Sequence, residues 1–412
     1  MNTKNNWKRN IVLFLSSQAV SFFGSALVQY AITWYITLKT QSGVMMTISI
    51  ICGFVPTFLI SPFAGVWADR YDRKKLIMLS DSIIAVSTLI TALIFIGGLG
   101  STWLLFAVSV VRAFGSGVQM PAVSAMIPDI VPEDKLTKVN GANGSIQSLV
   151  TLVSPLVSGA LLSYAKIEYI FFIDVITALA AVMILLLFLH VPTHKGAAEK
   201  QKTGYFSDMK EGLRFVARHD FVRIIFIFCA VYFILVAPLA FLTPLQVTRS
   251  FGGDVWRLSA TEMSFSIGMM AGGLIIAAWG GFRNKIHTMV LSNFVIAFCT
   301  IGLGFVPHFG IYLMLMSLVG IAMPIFNTPF MVLLQQKVEP EYMGRVFGVM
   351  NMISSSIMPM AMIFYGPIAD FIDIELLLIA TGALMLVQSF FMTANKVLIN
   401  AGKPTVSETG ES

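Results

Sequence analysis

Gly65-Val66-Trp67-Ala68-Asp69-Arg70-Tyr71-Asp72-Arg73-Lys74-Lys75 divides two long apolar runs, Val44 to Val66 and Leu76 to Ile96. Each run is long enough to cross a bilayer, which takes roughly 20 residues. The divider is short and carries Arg70, Arg73, Lys74 and Lys75. Cations gather in loops that stay inside the cell, so this loop is predicted to be cytoplasmic. The rest of the chain continues the theme. Of its 412 residues, 57% are hydrophobic and 12% charged, against about 25% charged in a soluble domain. A polytopic membrane protein follows. The net charge of +6 sits in a few loops rather than on one face or helix, which argues against a nucleic-acid partner. Cys52, Cys229 and Cys299 lie in apolar runs without metal-ligand spacing and read as buried thiols, with no metal or other cofactor implied.

Twelve spans can be laid out. The first six are 11–37, 44–67, 76–98, 101–126, 142–165 and 168–190; the second six are 221–247, 259–281, 286–306, 309–334, 345–368 and 374–396. Lys4, Lys8 and Arg9 precede the first run, and no small-residue cleavage site follows a short core, so it reads as a span and not a signal peptide. With both termini in the cytoplasm, the external loops hold only Lys39, Lys166, Arg249 and Arg257, and Arg112 lies within a span. Every other Lys and Arg falls inside, as the positive-inside rule requires. This gives an N-terminal bundle over 1–191, a cytoplasmic linker over 192–220, a C-terminal bundle over 221–396 and a disordered tail over 397–412. Within the linker, Phe206, Met209, Leu213, Phe215 and Val216 space as an amphipathic helix on the membrane surface. The halves also repeat. Pro121, Pro132 and Glu133 recur as Pro329, Pro340 and Glu341, and one residue of slippage brings Val139 and Gly141 onto Val346 and Gly348. A six-plus-six parallel repeat is thereby predicted.

The G-x-x-x-D-R-x-x-R-K loop between spans 2 and 3 resembles the signature of the major facilitator superfamily of transporters. Further segments narrow the resemblance: Asn6-Trp7-Lys8, Gln18-Ala19-Val20-Ser21, Val131-Pro132-Glu133, Leu136-Thr137-Lys138, Ile173-Asp174-Val175, Thr261-Glu262-Met263-Ser264-Phe265 and Pro340-Glu341-Tyr342-Met343-Gly344-Arg345-Val346-Phe347. Together they are similar to the macrolide-efflux branch of that superfamily, found in bacteria. The resemblance implies an all-α membrane protein, with twelve transmembrane helices in two six-helix bundles around a cavity. It further implies proton antiport of amphipathic drugs, foremost macrolides, across the bacterial plasma membrane by a monomer surrounded by lipid. The second copy of the loop signature, Gly280 to Lys285, keeps the basic residues and lacks the acid.

Residues for that work can be nominated. Gly65, Asp69, Arg70, Asp72, Arg73 and Lys74 form the gating motif, with Asp69 accepting from cations and Gly65 allowing a close backbone approach. The resemblance implies that this cluster closes the cytoplasmic gate against span 11. Arg112 lies deep in span 4, where a guanidinium costs at least about 2.5–3.5 kcal/mol and needs a partner. The resemblance implies proton coupling for it, although the family sets glycines four and six places after the Arg, and here Gly115 and Gly117 come at three and five. Asp174 in span 6 and Asp81 in span 3 are carboxylates that could titrate, and Asp81 could instead bind the basic loop. Glu262 reads either as a coupling acid or, in Ser259-Ala260-Thr261-Glu262, as part of a capping box at a helix start. Gln18, Ser21, Ser25 and Gln29 form one polar stripe on span 1, predicted to line the substrate cavity with Asn327 and Asn351.

Other classes are disfavoured. The chain has no H-E-x-x-H, no G-x-S-x-G and no metal-ligand cluster that would suggest a membrane-embedded enzyme. It also has no G-x-x-x-x-G-K-[ST] of its own, so any ATP-driven step would need a partner ATPase. An importer on the same fold remains the alternative within transport.

Overall fold

The computed structural model describes residues 7–188 and 213–403. They form two compact units: one comprises residues 7–41, 45–188 and 253–259, the other 42–44, 213–252 and 260–403. Twelve of the described helices are long and apolar enough to cross a membrane, matching the twelve spans predicted.

The first unit carries α1 (Trp7–Thr40), α2 (Gly43–Arg70), α3 (Arg73–Ile96), α4 (Thr102–Ile130), α5 (Leu136–Tyr164) and α6 (Ile167–Phe188). Local chemistry sets several ends. Asp72 accepts the Lys75 amide at 3.1 Å and starts α3, and Ser101 accepts that of Leu104 at 3.3 Å and starts α4. Such caps satisfy amides that have no partner within the helix. The helix α5 begins at Leu136, six residues before the predicted span, because hydropathy marks the bilayer and not the end of helical backbone. On α3 the usual burial pattern is inverted. Its exposed stripe is Leu79, Ile83, Val86, Ile90 and Leu93, whereas its buried stripe includes Ser80, Asp81, Thr88 and Thr91. Apolar outside and polar inside is the arrangement that lipid demands.

The second unit carries α7 (Asp220–Phe241), α8 (Thr243–Ser250), α9 (Val255–Trp279), α10 (Lys285–Leu303), α11 (Phe309–Lys337), α12 (Pro340–Ile368), α13 (Ile374–Ala394) and α14 (Lys396–Ala401). The predicted span 7 is broken at Leu242 into α7 and α8. Pro238 and Pro244 cannot donate amides to the preceding turn, which interrupts the ladder there. The predicted tail is also corrected. Residues 397–403 are ordered in and after α14, which is clamped to the start of α10. The Lys285 amide donates to Gly402 O at 3.2 Å, and Asn284 Nδ2 donates to Ile399 O at 2.9 Å. Residues 404–412 lie outside the described residues. So does most of the predicted amphipathic helix. Residues 213–218 are helical, and Phe215 stacks on Tyr342 with ring centroids 4.6 Å apart.

The sequence repeat has a structural counterpart. Both α4 and α11 are 29 residues long, and each ends at an extended valine, Val131 and Val338. The main helix pairings match too. In the first unit α1 packs on α5 and α6, and α3 on α4 and α6; in the second α7 packs on α12 and α13, and α10 on α11 and α13. Within the second unit, Asp370 accepts from the amides of Gly43 (2.6 Å) and Val44 (3.0 Å) and the Ser42 hydroxyl (2.7 Å), and pairs with Arg249 at 2.9 Å. Burial opposes ionisation of this carboxyl, but the Val44, Gly43, Ser42 and Arg249 donors outweigh it and hold it below the ordinary aspartate range.

Candidate functional site

Four helices of the first unit build a polar layer inside an apolar bundle. One apolar cluster holds Phe14, Leu15, Ile77, Ala122, Met126 and Leu185. A second holds Leu27, Val28, Ala92, Val108, Ile170 and Phe171. On each of α1, α3, α4 and α6, the polar residues fall between the two. They are Ser21 and Ser25, Asp81 and Thr88, Arg112 and Gln119, and Asp174. Within each helix, the paired residues are four or seven apart, a spacing that keeps them on one face.

Arg112 and Asp174 form the centre. Arg112 is 5% exposed and Asp174 1%. One guanidinium nitrogen pairs with Asp174 Oδ2 and donates to Thr88 Oγ1 at 2.6 Å; the other terminal nitrogen donates to Ser25 O at 3.1 Å. Thr88 donates to Asp174 Oδ2 at 3.1 Å, and Ser25 to Oδ1 at 3.3 Å. A buried charge needs a partner and hydrogen bonds for its remaining valences; the pair has the partner and most of the bonds, while Arg112 Nε has none among the described residues. Glycines permit the assembly. A Cβ on Gly24 would crowd the Thr177 side chain and stand 3.2 Å from Asp174 Cα, so glycine there lets α1 pack closely on α6. A Cβ on Gly115 would stand 2.7 Å from Ile84 Cγ1, where α4 meets α3.

Asp81 is 2% exposed. Its Oδ1 accepts from Ser21 at 2.6 Å and Gln119 at 2.7 Å. Among the described residues it makes no ion pair with the basic loop, contrary to the alternative predicted for it. Gln119 also lines a cleft between α1, α4 and α5, with Gln18, Phe22, Ser124, Asn143 and Gln147. The cleft accommodates about 110 Å³ of solvent.

The predicted polar stripe on α1 is therefore divided. Ser21 and Ser25 donate to the buried carboxylates Asp81 and Asp174. Gln18 reaches the cleft and Gln29 is exposed. Asn327 and Asn351 are exposed in the second unit. Glu262 does not cap a helix. The helix α9 begins at Val255, and Ser259 instead donates to Pro155 O at 3.2 Å. Among the described residues, no hydrogen bond or ion pair reaches Glu262.

The loop motif is partly structural. Asp72 is the cap of α3. Arg73 ties three elements, donating to Ala68 O at 2.9 Å and Ala125 O at 2.7 Å and pairing with Asp129 at 2.7 Å. Arg70 is exposed and Lys74 half-buried. The Asp69 side chain lies outside what is described. Among the described residues, a Cβ on Gly65 would meet nothing within 4 Å. Thr88 and Gln119 were not anticipated. Each lies seven residues from a predicted charge, Asp81 or Arg112, and that two-turn spacing was the available signal.

Twelve membrane-length helices in two repeated units, with a paired charge buried in one of them, define a polytopic membrane protein of the transporter class. The chain matches the Major Facilitator Superfamily over residues 14–363 and belongs to it. It is 31% identical over 389 residues to macrolide efflux protein A of Streptococcus pyogenes, covering 94% of this chain and 96% of the relative. It is 30% identical over 324 residues to macrolide efflux protein A of Enterococcus faecalis, covering 78% and 99%. The solved nucleoside transporter NupG shares the fold, with a TM-score of 0.67 at 16% identity over 96% of this chain and 99% of that one.

Proposed function

We propose that this transporter exports amphipathic drugs, foremost macrolides, in exchange for protons by alternating access. The observation that carries this reading is the 30–31% identity to two macrolide efflux proteins over most of the chain. The Arg112–Asp174 pair supports proton coupling. Intramembrane ion pairs are costly and mark ion pathways, and this one is joined by hydrogen bonds to α1 and α3. Glu262 is available in the second unit as an acid for the cationic amino sugar of a macrolide. Gln18, Ser124, Asn143 and Gln147 give the first unit a polar wall. The space beside that wall is below the roughly 300 Å³ of a drug-sized pocket, so the cleft alone does not enclose the drug. Asp69, Arg70 and Arg73 serve the cytoplasmic gate on this reading. The protein works as a monomer in the bacterial plasma membrane, both termini in the cytoplasm. Expression in a drug-sensitive bacterium tests the proposal. It should raise the inhibitory concentration of erythromycin-like compounds, and a protonophore should cancel the effect. Unchanged susceptibility with the protein present in the membrane would refute macrolide export.

A further inference from the structure

We propose that Asp81 is the carboxylate that binds and releases the transported proton, with water of the Gln119 cleft as its route, while Asp174 stays held by Arg112. The inference rests on the proton-antiport reading and assigns its proton site.

Asp81 and Asp174 are both buried, but their surroundings differ. Asp174 has a guanidinium and two hydroxyl donors. Asp81 has two neutral donors, both on Oδ1, and its buried Oδ2 has no hydrogen-bond partner among the described residues. A carboxylate oxygen left bare in an apolar interior is costly. A proton on Oδ2 removes the charge and leaves Oδ1 free to keep both bonds. The groups facing Asp81 bear this out. The neighbouring face of α1 offers Ser21 and Ser25, α4 offers Gln119 and Arg112, and α6 offers Asp174. The one cation among them is committed to Asp174.

The route is short. Gln119 Nε2 touches Asp81 while the same side chain lines the cleft. The cleft's 110 Å³ holds a few waters, each taking about 30 Å³. On binding, a hydronium ion of the cleft water loses one O–H bond and becomes water as an O–H bond forms at Oδ2. On release the same bond breaks, the carboxylate keeps the electron pair, and the proton returns to water.

The internal repeat supplies an independent comparison. Asp81 is the eighth residue after Arg73 at the start of α3, and Asn293 is the eighth after Lys285 at the start of α10. Asn293 is 1% exposed and donates to Ser389 Oγ at 2.8 Å. The same junction therefore packs with the neutral isostere. Packing alone does not call for an acid at this position, and Asp81→Asn should fold.

Infrared difference spectroscopy of the purified full-length protein between acidic and alkaline pH tests the assignment. The wild type should show a protonated-carboxyl C=O band that shifts when the protein is labelled with carboxyl-carbon-13 aspartate, which separates it from Glu262. Asp81→Asn should lose this band. Glu262→Gln should keep it. Ser21→Ala should change its frequency, because one donor to Oδ1 is gone. An aspartate band unchanged in Asp81→Asn, or unmoved in Ser21→Ala, would overturn the assignment. The band is read without drug. A protein that exports drug but keeps the band in Asp81→Asn refutes the proton site alone. A protein that loses the band in Asp81→Asn but confers no macrolide resistance refutes the substrate alone.

Discussion

Removing Arg112 should be among the most damaging single changes in the first unit, and the size of the effect follows from its surroundings. Arg112→Met leaves Asp174, 1% exposed, without its cation. Breaking a buried pair from one side costs about 3–5 kcal/mol. Thr88 and Ser25 still donate to the carboxylate, but interhelical hydrogen bonds in a membrane average about 0.6 kcal/mol each. They cannot offset the loss, and a destabilisation of about 3 kcal/mol is expected. Asp174→Asn strands the guanidinium and should cost a similar amount. Arg112→Met with Asp174→Asn removes both charges and should be less destabilised than either single variant. Reversible unfolding of the four proteins in mixed micelles measures this cycle. Single losses below about 1 kcal/mol, or losses that add within about 0.5 kcal/mol, would refute the reasoning. The same cycle reads out on transport. Arg112→Met should abolish uphill export. Arg112→Lys should recover only part of it, because an ammonium cannot span Thr88, Asp174 and Ser25 as the planar fork does.

Three further outcomes follow from other contacts. Arg73→Ala should lower drug export at unchanged membrane levels, since it removes the bonds from Arg73 to Ala68, Ala125 and Asp129 at once; normal export at wild-type levels would show the tie to be dispensable. Asp370 has a depressed folded value, so its stabilisation is fully present above the ordinary aspartate value of about 3.9 and is lost as pH falls through the lower folded value. Melting of wild type and Asp370→Asn should therefore show a constant gap at neutral pH that narrows below about pH 4, and a gap that widens on acidification would contradict this. Gly24→Val should lower thermal stability by overpacking, about 1–3 kcal/mol, because its Cβ meets Thr177 and the Asp174 backbone; a melting temperature at the wild-type value would show that α1 can move aside.

The sequence revealed membrane architecture more readily than local chemistry. Lipid imposes long uninterrupted apolar runs and a charge asymmetry, and both can be read without knowing any contact. Hydropathy did not locate helix ends, as α5 and α12 show by starting before the apolar stretch does. It also could not separate two meanings of a polar stripe. Ser21 and Ser25 share a face with Gln18, yet that face turns partly to a cleft and partly to α3 and α6. Only the packing partner decides between them. The capping-box reading of Glu262 failed for a related reason. Val255 and Trp256 are apolar enough to belong to the span, so the helix starts a turn earlier than the Ser-x-x-Glu pattern suggests.

The two repeats also bear on why charge is present at all. Counted from their helix starts, Asp81, Thr88, Arg112 and Asp174 correspond to Asn293, Thr300, Val319 and Thr381. All four of the latter are buried, at 1%, 0%, 1% and 3% exposure. The same helix pairings thus close in the second unit around neutral side chains, with Asn293 bonded to Ser389 instead of a carboxylate bonded to serine and glutamine. A structural need common to the fold would act on both copies. The ionic layer is confined to one, where it bears the desolvation of two acids and an arginine and where a buried pair gives little net stability. On the proposed proton-antiport reading, these charges are kept for transport, at Arg112, Asp174 and Asp81 of the first unit. Exchanging Asp81 for the asparagine that its repeat already carries separates the two accounts. If charge serves transport, Asp81→Asn should retain thermal stability and lose proton-driven export; if it serves packing, stability should fall and export should survive in whatever protein folds.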